Sequence, residues 1–169
     1  RVDLLRSSGS RTGKRSDTSV SGQVGFETLP GLSHKFKVHF SGGTYETGDV
    51  AYGQSVSVQT ALTTLMVHNS LGNGIEDVRV DLLRTGGGST GQRSNTNGLG
   101  VVGFETLPAY PHLFKVYFNG GSYATSLPVI HGQSDVVQTE LSTVAVTSSS
   151  SAGIEDVRVD LLRNNDSGT

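Results

Sequence analysis

The 169-residue sequence predicts an all-β chain of tandem small antiparallel β-sandwich repeats of about 78 residues. Three observations carry that expectation. Short runs alternate apolar and polar residues with a period of two, and no window sustains the 3.6-residue period of an amphipathic helix. The sequence also repeats itself. Finally, the composition is 34% hydrophobic and 17% charged, with 23 Gly and abundant Ser and Thr, at a formal net charge of −2. Disorder needs higher net charge and fewer β-branched residues, so this composition points to polar-surfaced sandwiches with thin cores.

The elements follow in order from that alternation. Phe36, Val38 and Phe40 alternate with Lys35, Lys37 and His39. Val78, Val80 and Leu82 alternate with Arg79 and Asp81, and Phe114, Val116 and Phe118 alternate with Lys115 and Tyr117. Val101–Leu107 is a further β-branched and aromatic run. Turn residues cluster at Thr85–Gly91, Asn95–Gly100, Pro108–Pro111 and Asn119–Ser122. Strands at this spacing, separated by such clusters, predict an antiparallel sandwich.

The repeat sets the organisation. RVDLLR occurs at Arg1–Arg6, Arg79–Arg84 and Arg158–Arg163, and VGFETLP occurs at Val24–Pro30 and Val102–Pro108. Gly53-Gln54-Ser55 answers Gly132-Gln133-Ser134, with one residue inserted near Leu127–His131. This period is too long for a solenoid unit and long enough for a small domain. Val56–Val67 and Val136–Val146 contain no Gly or Pro, so they read as strands that pass from one module into the next rather than as flexible linkers. Residues 1–61 are then expected to be a sandwich lacking its first strand, 62–139 a complete sandwich, and 140–169 the opening of a third. Arg1 in place of an initiator methionine is expected of a fragment or processed product. A sandwich short of one strand exposes an edge; either the tail of one chain completes the head of the next by strand complementation, or the sequence is cut at this phase from a longer string of modules.

Gly72-Asn73-Gly74 before Val78, Asn97-Gly98 before Phe104, and Leu107-Pro108 before the following strand form a pattern. It resembles tandem repeats of bacterial surface or secreted proteins, in the style of carboxypeptidase-regulatory or collagen-adhesin B-type domains. That resemblance implies immunoglobulin-like or prealbumin-like sandwiches serving as a spacer, stalk, adhesin or fibre module.

Side chains able to carry chemistry are scattered. His34, His39, His68, His112 and His131 include no pair at ligand spacing, and the equivalent His34 and His112 read as loop or surface residues. Asn73, Glu76 and Asp77 could hold calcium at a module junction, but Ala152 replaces Asn73 in the next copy. The collagen-adhesin likeness raises an isopeptide bond between Lys37 or Lys115 and Glu27 or Glu105. These lysines fall on the strand face opposite Phe36 and Phe114, which favours surface charges. Arg1, Asp3 and Arg6, like Arg79, Asp81 and Arg84, alternate in sign and are expected to pair with neighbouring strands.

No nucleophile elbow, carboxylate pair or phosphate loop is present. No residue is therefore expected to be catalytic, cofactor-binding or metal-ligating, and the chain is expected to be no enzyme. Near-neutral charge gives no reason for nucleic-acid binding, and no apolar run is long enough to span a membrane as a helix. Zero cysteines exclude disulfides and thiolate sites. The expected function is an extracellular or cell-surface structural repeat: a stiff stalk, adhesin shaft or self-assembled filament whose partners are adjacent copies, head to tail. The alternative is a carbohydrate-binding or other adhesive module, with Tyr45, Tyr123, Tyr110 or Tyr117 stacking on sugars. Thr147–Ser151 and the Asn165-Asp166-Ser167 sequon suit glycosylation of an exposed fibre.

Overall fold

A computed structural model of the chain describes residues 1–162. The sequon at Asn165, and Arg163 of the third RVDLLR, lie outside the described residues. The described residues form no helix, and eleven strands arrange them as an all-β sandwich.

Strands β1 (Val2–Arg6), β2 (Arg11–Ser16), β3 (His34–Phe40) and β4 (Gly43–Glu46) make one sheet in the order β2-β1-β3-β4. They are followed by β5 (Ala61–His68), β6 (Arg79–Arg84), β7 (Ser89–Asn95), β8 (Val101–Thr106), β9 (His112–Phe118), β10 (Gly121–Ala124) and β11 (Ser134–Gln138). Of these, β10-β9-β6-β7 repeat the first sheet strand for strand, while β11-β5-β8 form a sheet of their own. The register repeats too. Val2 pairs with Val38 and Leu4 with Phe36; Val80 pairs with Val116 and Leu82 with Phe114.

The core of residues 61–138 lies between these two layers. One sheet contributes Val80, Leu82, Phe114 and Val116, and the other contributes Leu65, Val67, Val102 and Phe104. β5 is the central strand of its sheet, with Leu65 and Val67 fully buried. Its Thr63 is also fully buried and shares a 2.7 Å hydroxyl hydrogen bond with Thr106 of β8.

Three features differ from the sequence expectation. The sandwich is not wholly antiparallel, since β11 runs parallel to β5. Five strands intervene between them, which provides the long crossover that a parallel pair requires. The Thr85–Gly91 cluster is not all turn, because β7 starts at Ser89; the Asn119–Ser122 cluster likewise includes the start of β10. β2 and β7 are polar edge strands with almost no apolar face, so they carry no alternation to read. Each is held instead at a bulge by a threonine: Thr12 Oγ1 donates to the Leu4 carbonyl and Thr90 Oγ1 to the Leu82 carbonyl, both at 2.7 Å.

Residues 1–60 contain no strand in the place of β5. Val24–Thr28 and Ser55–Gln59, the equivalents of β8 and β11, form no strand either. Without a central strand to pair with, neither can satisfy its backbone in a sheet. The inner face of β1 and β3 borders an open cleft of about 1110 Å³, lined by Val2, Val24, Phe26, Phe36, Val38 and Val58. Identical residues therefore have different surroundings. Leu107 is 1% exposed, whereas its equivalent Leu29 is 69% exposed.

That contrast yields a paired expectation. Leu107→Ala should destabilise the chain by about 2–5 kcal/mol, as truncation of a packed core leucine does. Leu29→Ala should change stability by less than about 0.5 kcal/mol. Urea denaturation of the two variants checks this, and equal losses would contradict the packing difference.

Candidate functional site

Among the described residues, a set of polar contacts between distant segments lies where the β3–β4 hairpin meets the second repeat. The hairpin turns on Ser41 and Gly42, which join Phe40 to Gly43. Both have positive φ, 47° and 72°. Two such residues make the tight hairpin turn whose twist matches the flanking strands. Gly42 is well suited to this position, where a side chain would be strained.

The turn is buried against residues more than forty positions away. Ser41 Oγ donates to the Glu105 carbonyl at 2.8 Å, and His112 Nε2 donates to the Ser41 carbonyl at 3.1 Å. Arg84 Nε donates to the Gly42 carbonyl at 3.1 Å. A Cβ on Gly42 would lie 2.7 Å from Thr90 Cγ2, and one on Gly43 would lie 2.8 Å from the Tyr110 ring. The backbone therefore approaches the second repeat more closely than any side chain would permit. Tyr110 stands 5.2 Å, centroid to centroid, from the His112 ring, and the two form one wall of the socket.

His112 corrects the sequence reading. It is neither a loop nor a surface residue, but the fully buried first residue of β9. Its backbone pairs with Val129 at both N–H and carbonyl, which fixes where the ring points. Burial pushes the proton affinity of the imidazole down, and the hydrogen bond to the Ser41 carbonyl acts against it. No short-range sequence signal marks this role, because the partner carbonyl is 71 residues away.

The other candidates are dispersed. Lys115 lies with Arg79 over the Tyr117 ring, at 5.1 and 4.6 Å, and Glu27 and Glu105 are exposed. Asp77 accepts a 2.6 Å hydrogen bond from Asn95 Nδ2. No three of His, Asp or Glu come together among the described residues. Arg79 and Asp81 pair along their own strand at 2.9 Å rather than across strands. Asp3 does pair across strands, with His39 at 3.0 Å. Burial works to raise the Asp3 carboxyl, but the hydrogen bond and charge of His39, with Arg1 and Arg11, outweigh it and hold the group below the usual carboxylate range. Tyr123 is exposed, Tyr45 and Tyr117 are half-buried, and Tyr110 belongs to the socket.

No family model and no curated protein matches the chain. Among solved structures it is similar to the Bacillus anthracis TIE protein, at 12% identity and a TM-score of 0.33. The match covers 83% of this chain and 29% of that one.

The buried imidazole gives the joint a pH dependence whose sign can be worked out. A free imidazole titrates near pH 6.5. Because folding lowers the proton affinity of His112, the unfolded chain binds the extra proton more readily. Stability contributed by this group is complete above about pH 6.5 and is lost as pH falls from there through the lower folded value. The difference in melting temperature between the wild type and His112→Gln, which keeps an Nε2 donor, should be flat from pH 8 to about 7 and grow more unfavourable to the wild type below. A difference independent of pH would mean that folding leaves the proton affinity of His112 unchanged.

Proposed function

We propose that this chain is a non-catalytic extracellular structural repeat, whose sandwiches stack head to tail into a stiff stalk, adhesin shaft or filament. The observation that carries this reading is the buried Ser41–Gly43 turn. It joins one repeat to the next through three hydrogen bonds and two glycine contacts too close for a side chain. Each hydrogen bond contributes about 0.5–1.5 kcal/mol. Three converging on one turn oppose swinging of the two repeats about residues 47–60.

Completion by a donated strand belongs to the same reading. Residues 140–147 align with β5 and form no strand among the described residues. Leu65 and Val67, the buried residues of β5, are matched there by Val144 and Val146. Placed as β5 is placed, this segment would run between 24–28 and 55–59 of a further repeat and fill the open cleft. Glycines support the same fit. A Cβ on Gly74 or Gly100 would collide with the backbone packed around it, whereas their equivalents Gly153 and Gly22 stand in open space. Those two are the matching halves of one close backbone crossing.

Small-angle scattering tests the stiffness. The wild type should scatter as one elongated body with a fixed angle between repeats. Gly42→Val should broaden the distribution of shapes, while Gly120→Val, with the same turn strain and no socket, should leave that angle unchanged. If both variants scatter like the wild type, the stiff-shaft reading fails. A synthetic Glu140–Thr147 peptide should protect the amides of residues 24–28 and 55–59 from hydrogen exchange, and its Val144→Asp version should not.

A further inference from the structure

We infer that the Asn119–Gly121 turn is a docking element for a further copy of this repeat, received on the face built from Arg6, Thr12, the Glu27 carbonyl and His34. The inference rests on the head-to-tail reading and names its contact surface. It starts from the joint already described, of which each half occurs twice. Asn119 and Gly120 repeat the positive φ of Ser41 and Gly42, at 45° and 81°, and join Phe118 to Gly121 in the same register. Unlike Ser41–Gly43, this turn is exposed.

The receiving face is duplicated as well. Arg84, Thr90, Glu105 and His112 have the equivalents Arg6, Thr12, Glu27 and His34, with no change of residue type. Their poses match. Thr12 bonds the Leu4 carbonyl as Thr90 bonds that of Leu82, and the His34 backbone pairs with Val50 as that of His112 pairs with Val129. His112, however, is fully buried under Ser41, while His34 is only half-buried and carries no side-chain hydrogen bond. The one departure is Leu32 for Tyr110, which leaves an apolar wall 51% exposed where the aromatic one packs on Gly43.

Chemistry selects the occupant. The face offers an imidazole N–H and a guanidinium to backbone carbonyls, and a backbone carbonyl to a short donor. Asn119 supplies that donor as an amide where Ser41 supplies a hydroxyl, and a side-chain-free turn must follow it. A further copy of this repeat meets all these demands. The operation that carries the first repeat onto the second, applied again, also sets residues 140–147 in the β5 place of that further copy. Arg158–Leu162 repeat the sequence of β1 but form no strand, so they can yield that place to the further copy's own Val2–Arg6, and the docked turn and the donated strand then share a single arrangement.

Photocrosslinking in the full chain tests the inference. A benzophenone side chain at position 110 should crosslink within the chain to residues 42–43. The same group at position 32 should crosslink to residues 119–121 of a second chain. The sample is an equal mixture of isotopically light and heavy protein at about 1 mM, where a millimolar contact is half formed. Mixed light–heavy peptides joining 32 to 119–121 are the expected result. Arg6→Ala, an exposed change, and His34→Ala, a half-buried one, should each lower their yield by about tenfold, the effect of a contact worth one decade in affinity. If position 110 crosslinks as expected while position 32 reaches other residues or none, the docking of Asn119–Gly121 is overturned and the internal joint stands. If position 110 also fails, the stiff-shaft reading falls with it.

Discussion

The architecture depends on the pairing of one central strand. β5 lies between β8 and β11, giving both a backbone to bond to, and its Leu65 and Val67 close the core against Phe114 and Val80. The comparison that isolates its contribution is internal to the chain. Residues 1–60 repeat most of the side chains of residues 79–139, yet without a strand in this place the segments equivalent to β8 and β11 form no sheet. Phe36 and Val38 are half-buried where Phe114 and Val116 are fully buried. The apolar residues of these segments recur in both halves (Val24, Phe26, Leu29 and Val58 answering Val102, Phe104, Leu107 and Val137), so the difference follows from backbone satisfaction. An apolar run cannot lie down in a core until its N–H and carbonyl groups have partners.

The joint depends on the opposite property, a lack of side chain. The hairpin tip can enter the second repeat because Gly42 and Gly43 present bare backbone to Thr90 and Tyr110. The socket then reads that backbone with donors: His112 for one carbonyl and Arg84 for the next. Such recognition ignores side-chain identity apart from the need for small residues and one short donor, the Ser41 hydroxyl. The same hairpin geometry can therefore recur in each repeat while flanking residues vary, as Ser41 varies to Asn119. A histidine is useful in this position because its neutral ring donates a hydrogen bond without bringing a charge into the buried seam.

Much of this fold is legible in the sequence, and the illegible parts have physical causes. β6, β8 and β9 bury one face, so their alternation survives in the residue order, and β1 and β3 carry the same alternation as the repeats of β6 and β9. β2 and β7 do not. RTGKRS and STGQRSN bury almost nothing, and they are strands because Leu4, Leu82 and their neighbours offer unpaired backbone, a property of the partner rather than of the segment. The direction of β11 is equally hidden, because parallel and antiparallel pairing place the same alternate residues inward. The joint is the least legible element. Its strongest local sign is the pair of adjacent glycines at 42–43 and 120–121, which reads first as an ordinary turn. Nothing near His112 in sequence indicates that a carbonyl 71 residues away will meet its ring.

The strand and the joint are coupled through the chain between them. After the Ser41–Gly42 turn the backbone returns along β4, and residues 47–60 lead into β5 inside the second repeat. The tip of the hairpin and the strand that follows it are thus both inserted in the same neighbour, one at its end and one at its centre. Two separated points of attachment resist rotation in a way that one cannot, since turning about either point displaces the other. The segment between them needs no rigidity of its own. On the proposed stiff-shaft reading the irregular backbone at 47–60 carries neither attachment, since both lie on either side of it.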